Sequence, residues 1–271
     1  MKPKSRIAPT PSGYLHEGNL ANFLLNAALV RDGGELMLRV DDLDRARYRR
    51  AYVEDIFRCL NQLGIQRTEG PVDVASFEEE WSQEKRLPQY RTALDRLRES
   101  DLVFACPCSR KELQNGTHVH GCLDRKIDLD TRDVAWRVDT RQVSEELLIP
   151  DLVQKEPFVV EPHTVIPDFV IRNKAGRPAY QLACTVDDRL FGINTVGRGQ
   201  DLLPSTAAQM ILSDLLGFDA LMSRITFLHH PLITAVDGSK LSKSAGARSE
   251  PLRIDGSIIQ RLEGLTKQWL G

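Results

Sequence analysis

Short extended apolar runs alternate along the chain with longer stretches in which apolar residues recur at helical spacing. An extended run at Arg6 to Ala8 leads through a turn into a helical stretch over 20–30, and residues 35–40 predict the next strand. An amphipathic helix over 51–63 ends at Gly64, a residue typical of helix C-termini. The same patterns predict a helix over 81–100 broken near Pro88, strands at 136–139 and 167–172, a helical or buried segment over 179–188, a strand at 193–199, a helix over 205–216 and a strand at 225–231.

Length and composition then limit the class of protein. With 271 residues, 41% hydrophobic and 27% charged, the chain can form one large α/β domain, or one domain with an insertion. No apolar run approaches the roughly 18 residues that span a membrane, and no apolar signal core follows the charged N-terminus, so we expect a cytoplasmic protein. The net charge is −2, so a nucleic-acid partner would have to use a local basic patch.

The turn after the first strand is a candidate anion site. Pro9, Pro11 and Gly13 shape a tight connection between a strand and a helix, a geometry that presents backbone N–H groups and a helix N-terminus to an anion. His16 and Asn19 stand where this helix begins, so their side chains could reach the same anion. The alternative is an ordinary loop with a surface histidine.

Acidic and basic residues follow the second strand. Asp41, Asp42 and Asp44 lie at its C-terminal end, where open α/β sheets bind ligands. Acids at this place can also cap the next helix, so Asp44 could cap while Asp41 faces the pocket. The basic run over 45–50 could meet phosphates or form a solvated face.

Cysteines cluster in the middle of the chain. Cys106, Cys108 and Cys122, with His118 or His120 between them, suit a tetrahedral Zn²⁺ site, and we prefer His118 as the fourth ligand. In a reducing compartment, clustered cysteines are more often metal ligands than disulfides. Free thiols are the alternative.

Three features near the C-terminal end add candidate chemistry. Lys240 and Lys243, between serines and glycines, form a cationic loop that could close on a phosphate chain or could simply be solvated. Arg198, at a strand end, could clamp a carboxylate through its planar guanidinium, or form a structural ion pair with a nearby aspartate. His229 and His230 are adjacent on a strand, so they point to opposite faces and make a poor chelating pair.

The first turn and the lysine loop together resemble the HIGH and KMSKS signatures of class I aminoacyl-tRNA synthetases. The first reads His16-Glu-Gly18-Asn19 and the second Lys240-Leu-Ser-Lys243-Ser. Further segments are similar to the catalytic domain of glutamyl-tRNA synthetases, in that family's order; they lie at 6–13, 39–44, 180–183, 196–203 and 237–243.

The resemblance implies a Rossmann-like parallel sheet split by an inserted acceptor-binding subdomain, which agrees with the alternation of strands and helices. It divides the chain into a first catalytic half at 1–100, an inserted subdomain with the zinc site at 101–165, and a second catalytic half at 166–271. A full glutamyl-tRNA synthetase continues into anticodon-binding domains after the catalytic domain. In its shorter length and its clustered cysteines, this chain resembles the glutamyl-queuosine tRNA(Asp) synthetases. Members of that family activate glutamate with ATP and attach it to queuosine in the anticodon of tRNA(Asp). Their zinc pattern has a tyrosine where this chain has His118.

The resemblance also implies roles for single residues. His16 and Lys243 would stabilise charge on the phosphates. ATP would be bound, with Mg²⁺, by the residues of the two signatures: His16, Gly18, Asn19, Lys240 and Lys243. Glutamate would be bound by Arg6, Ala8, Thr10, Asp41, Tyr180 and Arg198. Two departures stand out: Asp41 replaces a glutamate usual in the family, and the tail after the lysine loop is short.

Two alternatives remain at this stage. One is a truncated glutamyl-tRNA synthetase paralogue that acylates a tRNA 3′ end or a non-tRNA acceptor. The other is a non-catalytic paralogue that binds tRNA or a nucleotide, against which His16, Lys240 and Lys243 argue. The leading hypothesis is a monomeric ligase whose partners are L-glutamate, ATP and tRNA(Asp), with Mg²⁺ and Zn²⁺ as cofactors.

Overall fold

The computed structural model describes residues 2–114, 121–143, 146–154, 156–166, 168–218, 225–233 and 250–271. Its strands are β1 (Lys4–Ile7), β2 (Glu35–Leu38), β3 (Val103–Cys106), β4 (Ala135–Asp139), β5 (Leu147–Ile149), β6 (Phe158–Val160), β7 (Asp168–Arg172), β8 (Thr195–Gly199) and β9 (Thr226–His230). Its helices are α1 (Glu17–Leu29), α2 (Arg50–Gln62), α3 (Val74–Ser76), α4 (Leu87–Leu97), α5 (Arg110–Gln114), α6 (Gly121–Asp124), α7 (Pro162–Val165), α8 (Tyr180–Leu190), α9 (Leu203–Leu215) and α10 (Gly256–Leu270). None of these helices is long and apolar enough to cross a membrane.

Two parallel strand pairs stand side by side. β1 pairs with β2, and β8 pairs with β9. The pairs are joined where the strands begin, because the Asn194 N–H donates to the Lys4 carbonyl at 3.0 Å and the Lys4 N–H donates to Asn194 Oδ1 at 2.8 Å. The carboxyl ends of all four strands therefore meet at one edge, which is the edge where open α/β sheets bind ligands.

An antiparallel sheet lies between the two parallel pairs in sequence. Within the described residues, β4 is its central strand, flanked by β3 and β7, and β5 and β6 form a separate hairpin. The strand β7 thus belongs with β3 and β4, although it follows the predicted end of the inserted subdomain at residue 165. The division of the chain into domains stays a prediction.

Three apolar clusters among the described residues stabilise these layers, and the third lies around Phe227 of β9. Leu20 and Leu25 of α1 are fully buried in the first cluster, together with Leu262 and Trp269 of α10. The second cluster packs the antiparallel sheet against α4, α8 and α9.

The region between α2 and β3 differs from its prediction. The helix predicted over 81–100 is α-helical only from Leu87, with Pro88 in its first turn, where the missing N–H of proline costs no hydrogen bond. The residues directly before it, Gln83–Arg86, form a 3₁₀ turn, and Trp81 ends a π-helical turn that begins at Phe77.

Candidate functional site

A cavity of about 1070 Å³ opens at the carboxyl edge of the parallel strands. Its wall includes every predicted ATP- and glutamate-binding residue in the described part of the chain: Arg6, Ala8, Thr10, His16, Gly18, Asn19, Asp41, Tyr180 and Arg198. Lys240 and Lys243 lie outside the described residues. The roles of all these residues stay predictions, but the nine described ones line the same cavity.

The loop between β1 and α1 is held from both sides. The Asp41 N–H donates to the Pro9 carbonyl at 2.9 Å, which continues the pairing of the first two strands beyond their ends. The Leu15 N–H donates to Asp55 Oδ2 at 3.0 Å, and the His16 N–H donates to Asn19 Oδ1 at 3.1 Å. His16 is the N-cap of α1, so the positive end of this helix opens into the cavity, as an anion site requires.

Arg39 forms a buried two-point ion pair with Asp41, which lines the cavity. Arg39 Nε and Nη2 donate to the two Asp41 carboxylate oxygens at 2.6 and 3.1 Å. Burial raises the pKa of Asp41, although the Arg39 guanidinium opposes this shift. Asp41 therefore presents its carboxylate to the cavity from a fixed position.

The predicted capping role of Asp44 is wrong. The helix α2 begins only at Arg50, with Arg49 as its N-cap, and the Asp44 carboxylate instead accepts from Arg47 Nε at 2.6 Å. Arg45 pairs in the same way with Asp42 at 2.5 Å. Arg45 and Arg47 also border the cavity, so part of the basic run faces the site.

Asp188 of α8 connects the first two strands to the second half of the chain. It accepts from Arg6 Nε at 2.8 Å and from Arg39 Nη1 at 2.6 Å. Burial opposes the charge, but the two guanidiniums hold the pKa of Asp188 at about 2. Sequence reasoning did not assign Asp188 to the site. The available signal was a pair of aspartates, Asp187 and Asp188, within an apolar helix, since buried carboxylates need partners.

Arg198, at the end of β8, has hydrogen-bond partners at Nη1 and none at Nε among the described residues. Its Nη1 donates to Thr206 Oγ1 at 3.2 Å and to Gln209 Oε1 at 3.1 Å. Its Nε is buried and has no hydrogen-bond partner among the described residues. Those residues also give Arg198 no ion pair, so the alternative of a structural ion pair with an aspartate is not found there. A buried guanidinium N–H at a cavity wall suits a carboxylate ligand.

Two asparagines on α1 were missed. Asn22 Nδ2 donates to the Gly197 carbonyl at 3.0 Å and contacts His230 Nε2 at 3.3 Å, while the Gly197 N–H donates to Asn26 Oδ1 at 2.9 Å. A Cβ atom at Gly197 would lie 2.9 Å from Leu25 Cδ2, so only glycine allows α1 this close to β8. Two asparagines four residues apart in an otherwise apolar helix were the signal for this contact.

The two adjacent histidines face different surroundings, which confirms that they are not a chelating pair. His229 contacts Thr206 and Asp151, whereas His230 stacks on Trp269 with 4.1 Å between ring centroids. Burial lowers the pKa of His230, so its ring is neutral near pH 7 and its Nδ1 donates to the Pro231 carbonyl at 2.8 Å.

The cysteine cluster forms a second candidate site, at the end of β3. The Sγ atoms of Cys106, Cys108 and Cys122 lie within 4.8 Å of one another, and those of Cys108 and Cys122 are 3.3 Å apart. Tetrahedral zinc with bonds of about 2.3 Å would place its sulfurs about 3.8 Å apart, so three thiols at this spacing fit the ion. His118 and His120 lie outside the described residues.

Comparisons with known proteins agree with this geometry. The family model of the tRNA synthetases class I (E and Q), catalytic domain, matches residues 2–135 and 133–252. A glutamyl-Q tRNA(Asp) synthetase of Pseudomonas fluorescens is 38% identical over 258 residues, which cover 92% of this chain and 78% of that protein. Another, from Verminephrobacter eiseniae, is 34% identical over 287 residues, covering 97% and 93%.

Solved structures support the fold alone. The crystal structure of the glutamate-tRNA synthetase from Elizabethkingia anophelis superposes with a TM-score of 0.72 at 23% identity, covering 91% of this chain and 53% of that one. A glutamate tRNA ligase from Elizabethkingia meningosepticum gives 0.71 at the same identity, with coverage of 90% and 52%. The chain thus spans about half the length of these solved proteins.

The described strands, the cavity and the family match agree on one catalytic fold, the α/β fold of class I tRNA synthetases with its parallel strands. The chain belongs to the class I tRNA synthetase (E and Q) catalytic-domain family and, within it, to the family of the glutamyl-Q tRNA(Asp) synthetases.

Proposed function

We propose that this protein is an ATP-dependent glutamyl ligase that forms glutamyl-adenylate and then transfers the glutamyl group to queuosine in the anticodon of tRNA(Asp). The observation that carries the first step is that Arg198, whose buried Nε has no hydrogen-bond partner among the described residues, lines the same cavity as the N-terminus of α1. The names of the relatives support the second step.

Glutamate would be held by opposite charges at two ends. Arg198 would donate to a carboxylate through its planar fork, and Asp41 would accept from the α-ammonium. Arg6 and Tyr180, with the loop residues Ala8 and Thr10, would border the same pocket. Asp41 is one methylene shorter than the glutamate usual in the family, so it would reach about 1.5 Å less far, roughly one C–C bond by ordinary geometry.

The triphosphate would lie against the N-terminus of α1. His16, Gly18 and Asn19 would meet the phosphates there, and Lys240 and Lys243 would add positive charge. The glutamate carboxylate oxygen would attack the α-phosphorus, and pyrophosphate would leave with the electron pair of the broken P–O bond. His16 and Lys243 would stabilise the charge that develops, so the protein supplies position and electrostatics and no covalent nucleophile.

Bound Mg²⁺ would supply further positive charge to the pyrophosphate group. Magnesium in such sites is held largely by substrate phosphates and water, so the chain needs few ligands of its own. Carboxylates of Asp44 and Asp201 line the cavity and suit this need. Zinc would be bound by Cys106, Cys108 and Cys122, with His118 as the fourth ligand.

Transfer of radiolabelled glutamate tests the acceptor. The enzyme would be incubated with ATP and with tRNA(Asp) that either carries or lacks queuosine, and the labelled tRNA would be digested with a nuclease to show whether the anticodon fragment or the 3′-terminal fragment carries the label. We expect label only on queuosine-containing tRNA(Asp), and only in its anticodon fragment. Label on both tRNAs, in the 3′-terminal fragment, would indicate 3′-end acylation and contradict the proposed acceptor.

A further inference from the structure

A chain of buried hydrogen bonds runs from the loop between β5 and β6 to the Arg198 guanidinium. Asp151 Oδ2 contacts His229 Nδ1 at 2.9 Å, and His229 Nε2 contacts Thr206 Oγ1 at 2.9 Å. Thr206 Oγ1 in turn accepts from Arg198 Nη1 at 3.2 Å. None of Asp151, His229 and Thr206 was assigned a role in binding or chemistry.

The chain is sealed from solvent. The side chains of His229 and Asp151 are 0% and 2% exposed, and Thr206 is fully buried. The rings of Phe158 and Phe227 flank the His229 ring, each with 5.6 Å between centroids. Apolar walls strengthen hydrogen bonds and make a missing partner costly, so this geometry is fixed more strongly than a surface network would be.

The directions of the hydrogen bonds are determined from the two ends. Arg198 can only donate, so the Thr206 oxygen must accept from it. The Asp151 carboxylate can only accept when ionised, so His229 Nδ1 carries a proton and donates. Between these ends, the Thr206 hydroxyl has two groups within reach, His229 Nε2 at 2.9 Å and the Leu202 carbonyl at 3.3 Å. In either arrangement a lone pair of Thr206 Oγ1 accepts from Arg198 Nη1.

Asp151 is itself anchored on the catalytic sheet. It lies between β5 and β6, and its neighbours pair with β9: the Leu152 N–H donates to the Phe227 carbonyl at 2.7 Å. The His229 N–H also donates to Asp151 Oδ2, at 2.8 Å. Burial opposes the charge of Asp151, but these hydrogen bonds from His229 hold its pKa below the ordinary value. The carboxylate is therefore a fixed acceptor.

Gln209 completes the support on the same side of the guanidinium. Its Oε1 accepts from Arg198 Nη1 at 3.1 Å, and its Nε2 donates to Gln181 Oε1 at 3.3 Å. Both supports hold Nη1, while Nε has no partner among the described residues. The guanidinium is thus held through Nη1, and its Nε–H is an unsatisfied donor within the described residues.

We propose that Asp151, His229 and Thr206 are positioning residues that orient Arg198 for the carboxylate of glutamate. The proposal rests on the proposed function, because it assumes that Arg198 binds this substrate. It also gives the loop between β5 and β6 a part in amino-acid recognition, since Asp151 belongs to this loop.

The test compares Thr206→Val with Thr206→Ser. Valine keeps the shape and removes the hydroxyl, whereas serine keeps the hydroxyl. Steady-state ATP–pyrophosphate exchange would give KM for glutamate, KM for ATP and kcat, and calorimetry would give the glutamate Kd. We expect Thr206→Val to raise the KM and Kd for glutamate about tenfold, as loss of a hydrogen bond to a charged group does, with KM for ATP unchanged. Thr206→Ser should restore values near those of the wild type.

A second variant tests the far end of the chain. Asp151→Asn keeps an acceptor but removes the charge, so it should raise the KM for glutamate about threefold, less than Thr206→Val, again without an effect on ATP. Wild-type glutamate affinity in Thr206→Val, or equal rises for glutamate and ATP in both variants, would overturn the positioning role. If the wild-type protein neither binds nor activates glutamate, the proposed function fails, and this proposal fails with it.

Discussion

The Arg6 guanidinium and the Asp188 carboxylate, 182 residues apart in the sequence, form a buried ion pair with 2.8 Å between Nε and Oδ1. The same Asp188 oxygen accepts from Arg39 Nη1 at 2.6 Å. One carboxylate on α8 therefore fixes the side chains at the ends of β1 and β2, on which the proposed glutamate pocket is built.

Replacing Asp188 should strongly destabilise the protein. In Asp188→Asn, two buried guanidiniums would lose their shared counter-charge, so we expect the free energy of unfolding to fall by about 3–5 kcal/mol. Urea denaturation followed by circular dichroism measures this. Asp130→Asn is the matched control, because Asp130 pairs with Arg98 at the surface and its loss should leave the midpoint close to that of the wild type. Equal midpoints for the two variants would contradict the role of Asp188.

The same ion pair predicts the shape of acid denaturation. The pKa of Asp188 is about 2 in the folded protein, below the value of about 3.9 in an unfolded chain. Its contribution to stability is therefore present in full above about pH 4, and it is lost as the pH falls from there through about 2. The difference in unfolding free energy between the wild type and Asp188→Asn should be constant from pH 7 to 5 and shrink towards pH 2. A difference that grew on acidification would mean that the Asp188 pKa is raised.

The sequence located the residues near the strand ends but not the bonds between them. Arg6, Asp41 and Arg198 could be selected because each lies in a short motif beside a predicted strand or turn. The contact between Arg39 and Asp188 spans 149 residues and depends on how α8 packs across β1 and β2, which no local pattern encodes. The same holds for the π-helical turn at 77–81, which the sequence pattern did not predict.

Long-range pairing limited the prediction of the antiparallel sheet as well. The strands β4 and β7 were both predicted, at 136–139 and 167–172, but their antiparallel pairing was not, since strands of this length pair according to tertiary packing. By contrast, the opposite faces of His229 and His230 follow from strand geometry alone and were predicted correctly.

Arg198 should matter for glutamate and not for ATP. Lysine keeps the charge but lacks the planar fork, so Arg198→Lys should raise the KM for glutamate roughly tenfold to hundredfold while the KM for ATP stays near the wild-type value. Arg189→Lys is the control, because Arg189 is exposed on α8 with its guanidinium 5.8 Å from the Phe218 ring centroid. An Arg198→Lys enzyme with normal glutamate affinity would show that another group binds the carboxylate.

The cysteine cluster predicts about one zinc ion per chain. Cys108→Ser and Cys122→Ser should reduce the zinc content measured by elemental analysis to near zero and lower the melting temperature, because a structural zinc site contributes directly to folding. Cys59→Ser should retain zinc, since Cys59 is buried in α2 within a separate cluster. Metal-free wild-type protein of unchanged stability and activity would contradict the site.

The most direct test of the account is ATP–pyrophosphate exchange without tRNA, with glutamate as the amino acid and aspartate and glutamine as controls. A cavity lined by Arg198, Asp41 and the N-terminus of α1 should bind glutamate and ATP in the absence of tRNA. We therefore predict exchange with glutamate alone. Exchange only when tRNA is added would favour a truncated glutamyl-tRNA synthetase, and no exchange with any amino acid would contradict catalysis at this site.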